Sequence, residues 1–246
     1  MIVMQNSQTN LNGLQIPNHL GVIIDGNRRY GKLHGMRAWE SHRKGAETLE
    51  NFFQWCLDLN IPQLSVYTLS SENFENRPKK EINEILNLYY KYLKKWEKKK
   101  KGNIFDKYEI RVRFVGDLSN LPPKLVNLMG KLMHKTAKYQ KKVLNLMINY
   151  GGQFEITEAV KKIAQQAIKI GKVEVTAKDI ERNLLVPVPI DLLIRTGGYS
   201  RISNFMIWQA AYVEIYFTKT LWPAFTKEEL IKAIKWFNKV QRNYGK

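Results

Sequence analysis

No disulfide can form within this chain, because its 246 residues hold a single cysteine, Cys56. That thiol sits inside the apolar helical pattern LENFFQWCLDLNI, where it is expected to be buried and inert. No cysteines and histidines cluster at the spacing of a metal site. No run of about 18 apolar residues occurs, so no segment is expected to span a bilayer. The opening MIVMQNSQTNLNGLQIPN lacks both a basic start and a continuous apolar stretch. Residues 1–18 therefore read as a polar lead-in rather than a signal peptide, which points to a cytoplasmic protein. Neither G-x-x-x-x-G-K-[ST] nor G-x-G-x-x-G is present, so nucleotide binding of the familiar kinds loses support. Acids are scarce as well, with 22 Asp and Glu against 40 Lys and Arg and a net charge of +18. A phosphorylated substrate, an anionic membrane surface and nucleic acid would each draw such a protein. Much of the excess lies in lysine blocks such as KKWEKKKK (94–101) and KYQKK (138–142), which read as solvated helix faces. Arginines set among glycines carry more information.

Hydrophobic residues make up 44% of the chain, enough for a sizeable core. Apolar, β-rich runs occur at 20–24, 64–69, 110–116, 143–150, 191–195 and 213–217. Helical periodicity falls between most of them, over about 43–59, 79–100, 122–138, 155–170, 177–185 and 227–242. Strands with little polar alternation, separated by helices, predict an α/β fold. The expectation is one domain over residues 19–246, a mostly parallel central sheet of about six strands with helices on both faces. In such a sheet ligands sit outside the carboxyl ends of the strands.

Polar clusters follow three of those strands: DGNRRYGK (25–32), SSENFENRP (70–78) and RTGGYSRISN (195–204). In the last, Gly197 and Gly198 allow a tight turn that would expose backbone N–H groups. Arg195, Arg201 and Ser203 add charged forks and a hydroxyl at the start of an expected helix. Together they suit an oxyanion, most simply a diphosphate; a plain Gly-Gly turn beside solvent-facing arginines is the alternative. In the first cluster Asn27, Arg28 and Arg29 can hold a second phosphorylated group. Asp25 has two readings, a ligand for Mg²⁺ that bridges to phosphate oxygens or a counter-ion for Arg28 or Arg29. His42, within RAWESHRKG, is as readily a cap or a surface group as a ligand.

The segments HLGVIIDGNRRYGK, SVYTLSSENFENRP, RFVGD, LNLMINYGG and DLLIRTGGYSRISNFMIWQAAYVEIYFTKTLWPAF, in that order, resemble the cis-prenyltransferase (undecaprenyl or polyprenyl diphosphate synthase) family. The resemblance runs from about His19 to Gly245, and R-T-G-G-x-x-R-x-S-N-F with its W-P-x-F ending is its most specific part. It implies a transferase that condenses isopentenyl diphosphate repeatedly onto an allylic diphosphate primer, farnesyl or geranylgeranyl diphosphate. The implied product is a long polycis-polyprenyl diphosphate, precursor of a glycosyl carrier lipid. By position, the resemblance makes Asp25 the central acid and puts Gly26, Asn27, Arg28, Arg29, Tyr30, Arg37 and His42 around the allylic diphosphate. Ser70, Ser71, Glu72, Asn73, Phe74 and Arg77 match a motif on a flexible loop over the substrates, with Asn73 catalytic. Arg195, Arg201 and Ser203 match the isopentenyl diphosphate site, and Glu214 shares Mg²⁺ with Asp25. A homodimer is implied through SNFMIWQAAYVEIYF, with Arg242 reaching the partner's site. The chain departs from the pattern at Tyr30, where tryptophan is common, and at Arg28, where many bacterial members have glycine. One extra residue separates Arg37 from His42 and the motif aromatic from Arg77.

A growing polyprenyl chain also needs an apolar sleeve, for which Ile82, Ile85, Leu86, Tyr89 and Leu93 share one side of a helix, with VLNLMI as a wall. The same stripe would serve as ordinary core. A lipid product gives the basic surface a use, a peripheral approach to anionic membrane on the cytoplasmic face. An RNA-binding protein would use arginines for phosphates too, but has no need of Asp25 and Glu214 beside them, so no nucleic-acid partner is expected. Non-catalytic subunits of heteromeric prenyltransferases typically lose the aspartate and the R-x-S motif, and this chain has both.

Overall fold

The protein is described here from a computed structural model covering residues 13–98, 103–171 and 173–240. Six strands are ordered β3-β4-β2-β1-β5-β6 in one sheet, and every neighbouring pair is parallel. They are β1 (His19–Ile23), β2 (Gln63–Ser70), β3 (Ile110–Val115), β4 (Lys142–Tyr150), β5 (Leu192–Arg195) and β6 (Glu214–Phe217). Between them run α1 (Asn27–Leu33), α2 (Ala38–Asp58), α3 (Ser71–Asn76), α4 (Lys79–Glu97), α5 (Ile104–Lys107), α6 (Pro123–Thr136), α7 (Gly152–Ile170), α8 (Ala177–Asn183) and α9 (Lys227–Phe237). β1 and β5 are buried at every position, as their unbroken apolar runs require when both faces are covered.

Alternate strand residues feed two cores. Leu20, Val22, Leu64 and Val66 pack with Phe52 of α2, Leu86 of α4, Leu125 of α6 and Ile234 of α9. Ile23, Tyr67, Met147 and Leu193 face the other way, onto Phe205 and Met206. Phe205 and Met206 belong to a segment expected to begin a helix. Instead, residues 203–212 form a chain of turns, with Ser203, Asn204 and Met206 at φ of 48°, 61° and 43°. Left-handed residues cannot propagate a right-handed helix. Asn204 is held there by its own bonds: its carbonyl accepts from Gly152 N at 2.6 Å and its Oδ1 from Gln153 N at 2.9 Å, satisfying orphan donors at the start of α7. Three helices lie outside the periodicity reading, α1, α3 and α5, each seven residues or fewer and too short for a 3.6-residue pattern. α2 also begins at Ala38, five residues before the expected start.

The bottom of the sheet holds a polar knot. Fully buried His19 donates from Nδ1 to Pro189 O at 2.9 Å and accepts at Nε2 from Ser65 Oγ at 2.7 Å. Asn145 Nδ2 in turn donates to Ser65 Oγ at 2.9 Å, so the knot ties β1, β2 and β4. Burial lowers the His19 imidazole to about 4, against an ordinary value near 6.5, so the native ring is neutral at pH 7. The unfolded chain therefore binds a proton that the folded chain refuses between about pH 6.5 and pH 4, and native stability falls as pH drops through that window. The expected share of His19 is about 3 kcal/mol. Urea unfolding of the native protein and of His19→Gln at pH 7 and pH 4 checks it. The native protein should lose more stability than the variant across that interval, and equal losses contradict the assignment.

Candidate active site

The chain moves from β1 to β2 on one flank and reaches β5 and then β6 on the other, so the strand order reverses between β1 and β5. Such a switch point opens a crevice at the carboxyl ends of its two strands. Asp25 follows β1 and Arg195 ends β5. Arg195 Nη2 donates to Asp25 Oδ2 at 2.9 Å, while Arg29 Nη2, from the first turn of α1, donates to Oδ1 at 3.2 Å. Asp25 thus pairs with Arg29 and Arg195, whereas Arg28 turns away toward Glu81. Arg195 Nη1 also donates to Arg201 O and to Ser203 Oγ, and its Nε is buried with no partner.

Below Asp25 the backbone is fixed from two sides. Gly26 adopts φ 111°, and a Cβ there would strike Leu221. Trp222, fully buried, donates from its backbone to Asp25 O at 3.0 Å and from Nε1 to Gly45 O at 2.8 Å. Gly45 is needed because a Cβ would collide with Asn27 Oδ1. At the other side of the crevice, Gly197 and Gly198 turn at φ 87° and 78°, as the Gly-Gly pair predicts. Their N–H groups are not free, however: they donate to Thr220 O and Thr218 O, both at 2.8 Å. Those two N–H groups are therefore not available to an anion.

The crevice is a cleft of about 630 Å³. Asp25, Asn27, His42, Ser70, Glu72, Asn73, Arg77, Arg195, Arg201 and Ser203 line its polar part, joined by Tyr199 and Asn204, which the sequence did not single out. Ala46 and Leu49 of α2 and Ile85, Leu88 and Tyr89 of α4 line its apolar part. Of the anticipated sleeve, Ile85 and Tyr89 face the cleft, while Ile82, Leu86 and Leu93 are core. Other expected site residues lie elsewhere. Tyr30 stacks on His34 with ring centroids 4.0 Å apart. Arg37 precedes α2 at its N-cap and pairs with Glu40 at 3.2 Å on the surface. Ser71 sits beside Gly151, and Phe74 packs against the core.

Glu81, in the first turn of α4 and buried, was not foreseen. Its Oε1 accepts from His42 Nε2 and Arg77 Nη1, each at 3.2 Å, with Arg28 Nε at 3.9 Å. The only trace in sequence is its i+4 spacing from Arg77. Burial holds the His42 pKa below its ordinary value despite the Glu81 bond, so at pH 7 the ring is neutral and donates to Glu81.

The expected metal pair is not assembled within one chain. Glu214 pairs with Leu192, which pairs with Leu20, placing it on the order of 15 Å from Asp25 along the strand direction. Among the described residues no three carboxylate, imidazole or thiol groups gather to cage an ion. Mg²⁺ commonly takes one or two carboxylates and draws its remaining ligands from phosphate and water. Asp25 fits that mode, with its side chain 29% exposed at the cleft and Asn27 Oδ1, a buried oxygen without a partner, in the same lining.

Residues 23–245 match the family described as "Putative undecaprenyl diphosphate synthase". An isoprenyl transferase of Aquifex pyrophilus is 39% identical over 95% of this chain and 97% of its own length. A tritrans,polycis-undecaprenyl-diphosphate synthase (geranylgeranyl-diphosphate specific) of Methanopyrus kandleri is 37% identical over 94% of this chain and 86% of its own. Among solved structures, lavandulyl diphosphate synthase from Lavandula x intermedia, in complex with dimethylallyl diphosphate, superposes with a TM-score of 0.85 at 30% identity, covering 94% of this chain and 98% of that one.

Replacing Glu81 by alanine leaves His42 and Arg77 facing each other without their shared acceptor. The expected loss of stability is about 2–3 kcal/mol, read from urea unfolding at pH 7. A loss within about 0.5 kcal/mol, ordinary for a surface position, would show that the cluster holds nothing together.

Proposed function

Since the chain belongs to the undecaprenyl diphosphate synthase family and is a transferase of the prenyltransferase type, we propose that it elongates an allylic diphosphate with isopentenyl diphosphate, repeatedly and with cis double bonds. The observation that carries this reading is the composition of the cleft. Three arginines and one aspartate meet at the switch point, and an apolar wall of α2 and α4 continues from them. A diphosphate head and a hydrocarbon tail need those two surfaces in that order.

The reaction breaks the allylic C–O bond, forms a C–C bond to the alkene of isopentenyl diphosphate, and releases a proton. Charge builds on the departing diphosphate as the bond breaks. Arg29 and Arg195 are already oriented by Asp25, so little reorganisation is needed when that charge appears. Arg201 and Ser203 serve the second diphosphate, with Asn73 and Arg77 approaching from α3 and its end. Asp25 would hold Mg²⁺ together with diphosphate oxygens, and the ion, when bound, supplies positive charge against the leaving group. The geranylgeranyl specificity of the Methanopyrus kandleri relative supports geranylgeranyl diphosphate as a primer, and a long product would serve as precursor of a carrier lipid.

Two finer readings concern assembly and place. Edge strand β6 and a groove of about 460 Å³ lined by Val188, Trp208 and Tyr212 support a homodimer. Tyr212 is 79% exposed in the single chain. Arg242, anticipated to act on the partner's site, lies outside the described residues. Leu33 is 75% exposed between Lys32 and Arg37 at the α1–α2 junction, which supports peripheral contact with anionic lipid on the cytoplasmic face. Among the described residues no helix is long and apolar enough to cross a membrane.

Incubation of the purified protein with labelled isopentenyl diphosphate, Mg²⁺ and each allylic primer, followed by separation of the lipid products, tests the reading; failure to extend any primer overturns it. Asp25→Asn should lower kcat about a thousandfold, roughly 4 kcal/mol of transition-state stabilisation. Arg201→Ala should instead raise the KM for isopentenyl diphosphate about ten- to hundredfold, since its bond forms in ground and transition states alike. Near-normal turnover in Asp25→Asn would leave the aspartate as a counter-ion only. Tyr89→Ala enlarges the apolar part of the cleft and should shift the product distribution toward longer chains. An unchanged distribution would place the growing chain elsewhere.

A further inference from the structure

Three guanidinium groups surround one aromatic ring at the mouth of the cleft. Arg201 Cζ lies 4.4 Å from the Tyr199 ring centroid, Arg29 Cζ 4.6 Å and Arg195 Cζ 5.9 Å. The ring itself is 43% exposed and lines the cleft. Two of the cations, Arg29 and Arg195, also have Asp25. No carboxylate lies within ion-pair distance of Arg201 among the described residues, and the contact its side chain makes is with the ring. We infer that Tyr199 is a positioning residue, an aromatic plate that holds the Arg201 guanidinium in place for a diphosphate.

The reason for an aromatic there is electrostatic. Like charges gathered in one cleft repel, and a flexible arginine without a partner would swing out into water. A carboxylate could hold it but would compete with the incoming anion for the same N–H donors. The negative face of a π system attracts the cation through its quadrupole and leaves those N–H donors free at the rim. A planar guanidinium suits this mode better than an ammonium. Arg29 approaches the same ring but is also held by Asp25 Oδ1 and Gly197 O, so loss of the plate falls on Arg201. The phenol oxygen is not needed for this role.

The inference rests on the proposed function for the identity of the anion, so its test is chosen to stand apart. Inorganic diphosphate is titrated calorimetrically into the native protein, Tyr199→Phe and Tyr199→Leu, and steady-state kinetics with isopentenyl diphosphate follow on the same three. Tyr199→Leu should weaken diphosphate binding about tenfold, the scale of one partly desolvated cation–π contact, and raise the KM for isopentenyl diphosphate to a similar degree with kcat within about twofold. Tyr199→Phe should restore both. A half-exposed ring on a turn carries little of the core, so melting temperatures of the variants should stay within a few degrees of the native protein. Diphosphate binding by Tyr199→Leu equal to that of the native protein overturns the inference, and so does failure of the phenylalanine variant to restore it. Weakened diphosphate binding in a protein that extends no primer would uphold the plate and reject the proposed reaction.

Discussion

The Asp25–Arg195 ion pair is the constraint on which the site depends. Arg195 ends β5 with its side chain 4% exposed, so its charge has left water almost completely. Such a group is tolerable only with strong partners. Asp25 Oδ2 after β1 supplies one, and Arg201 O and Ser203 Oγ from the segment after β5 supply two more. One guanidinium thereby fixes the end of β1, the end of β5 and the strained 201–204 segment relative to one another. That segment then passes the constraint onward: Asn204 completes the start of α7, and its Nδ2 donates to Glu72 of α3 at 2.8 Å. The loop after β2 is tied to the loop after β5 through a residue held in the left-handed region.

A positive cluster of this kind is costly in the absence of an anion. The chain limits the repulsion with two acids at two heights. Asp25 sits among Arg29 and Arg195 at the strand ends, and Glu81 sits among His42, Arg77 and Arg28 on the helical side. Strained backbone at Ser203 and Asn204 is maintained by the same bonds. The result is a set of cations whose geometry is fixed before a substrate arrives, which is what stabilisation of developing charge requires. Two polar atoms beside these cations, Arg195 Nε and Asn27 Oδ1, are buried without protein partners.

Much of this was legible in the residues. Six apolar runs without polar alternation gave a parallel sheet, and polar clusters after three of them located the crevice, because strand ends and ligand sites coincide in such folds. Asp25, Arg195, Arg201 and Ser203 lie together in that crevice. What stayed hidden depends on three-dimensional partners. The N–H groups of Gly197 and Gly198 look available in sequence, but Thr218 and Thr220, some twenty residues away, consume them. Glu81 looks like one more surface acid on a lysine-rich helix until α2 brings His42 against it. Glu214 begins β6 and lies far from Asp25 within one chain, a matter of register that spacing alone cannot give. The turns at 203–212 read as a helix because their apolar content suits one; backbone strain has no signature in composition.

The proposed reaction requires that one cleft at the β1–β5 switch point bind two diphosphates side by side. A crystal structure of the protein grown with isopentenyl diphosphate, Mg²⁺ and an allylic thiodiphosphate whose C–S bond resists cleavage measures this directly. Two diphosphate groups are expected in the cleft, one against Arg201 and Ser203 and the other within reach of Asn27 and Arg29, with both hydrocarbon ends directed toward Leu49, Ile85 and Tyr89. Diphosphate density outside the cleft, or a hydrocarbon tail lying away from α2 and α4, would contradict it.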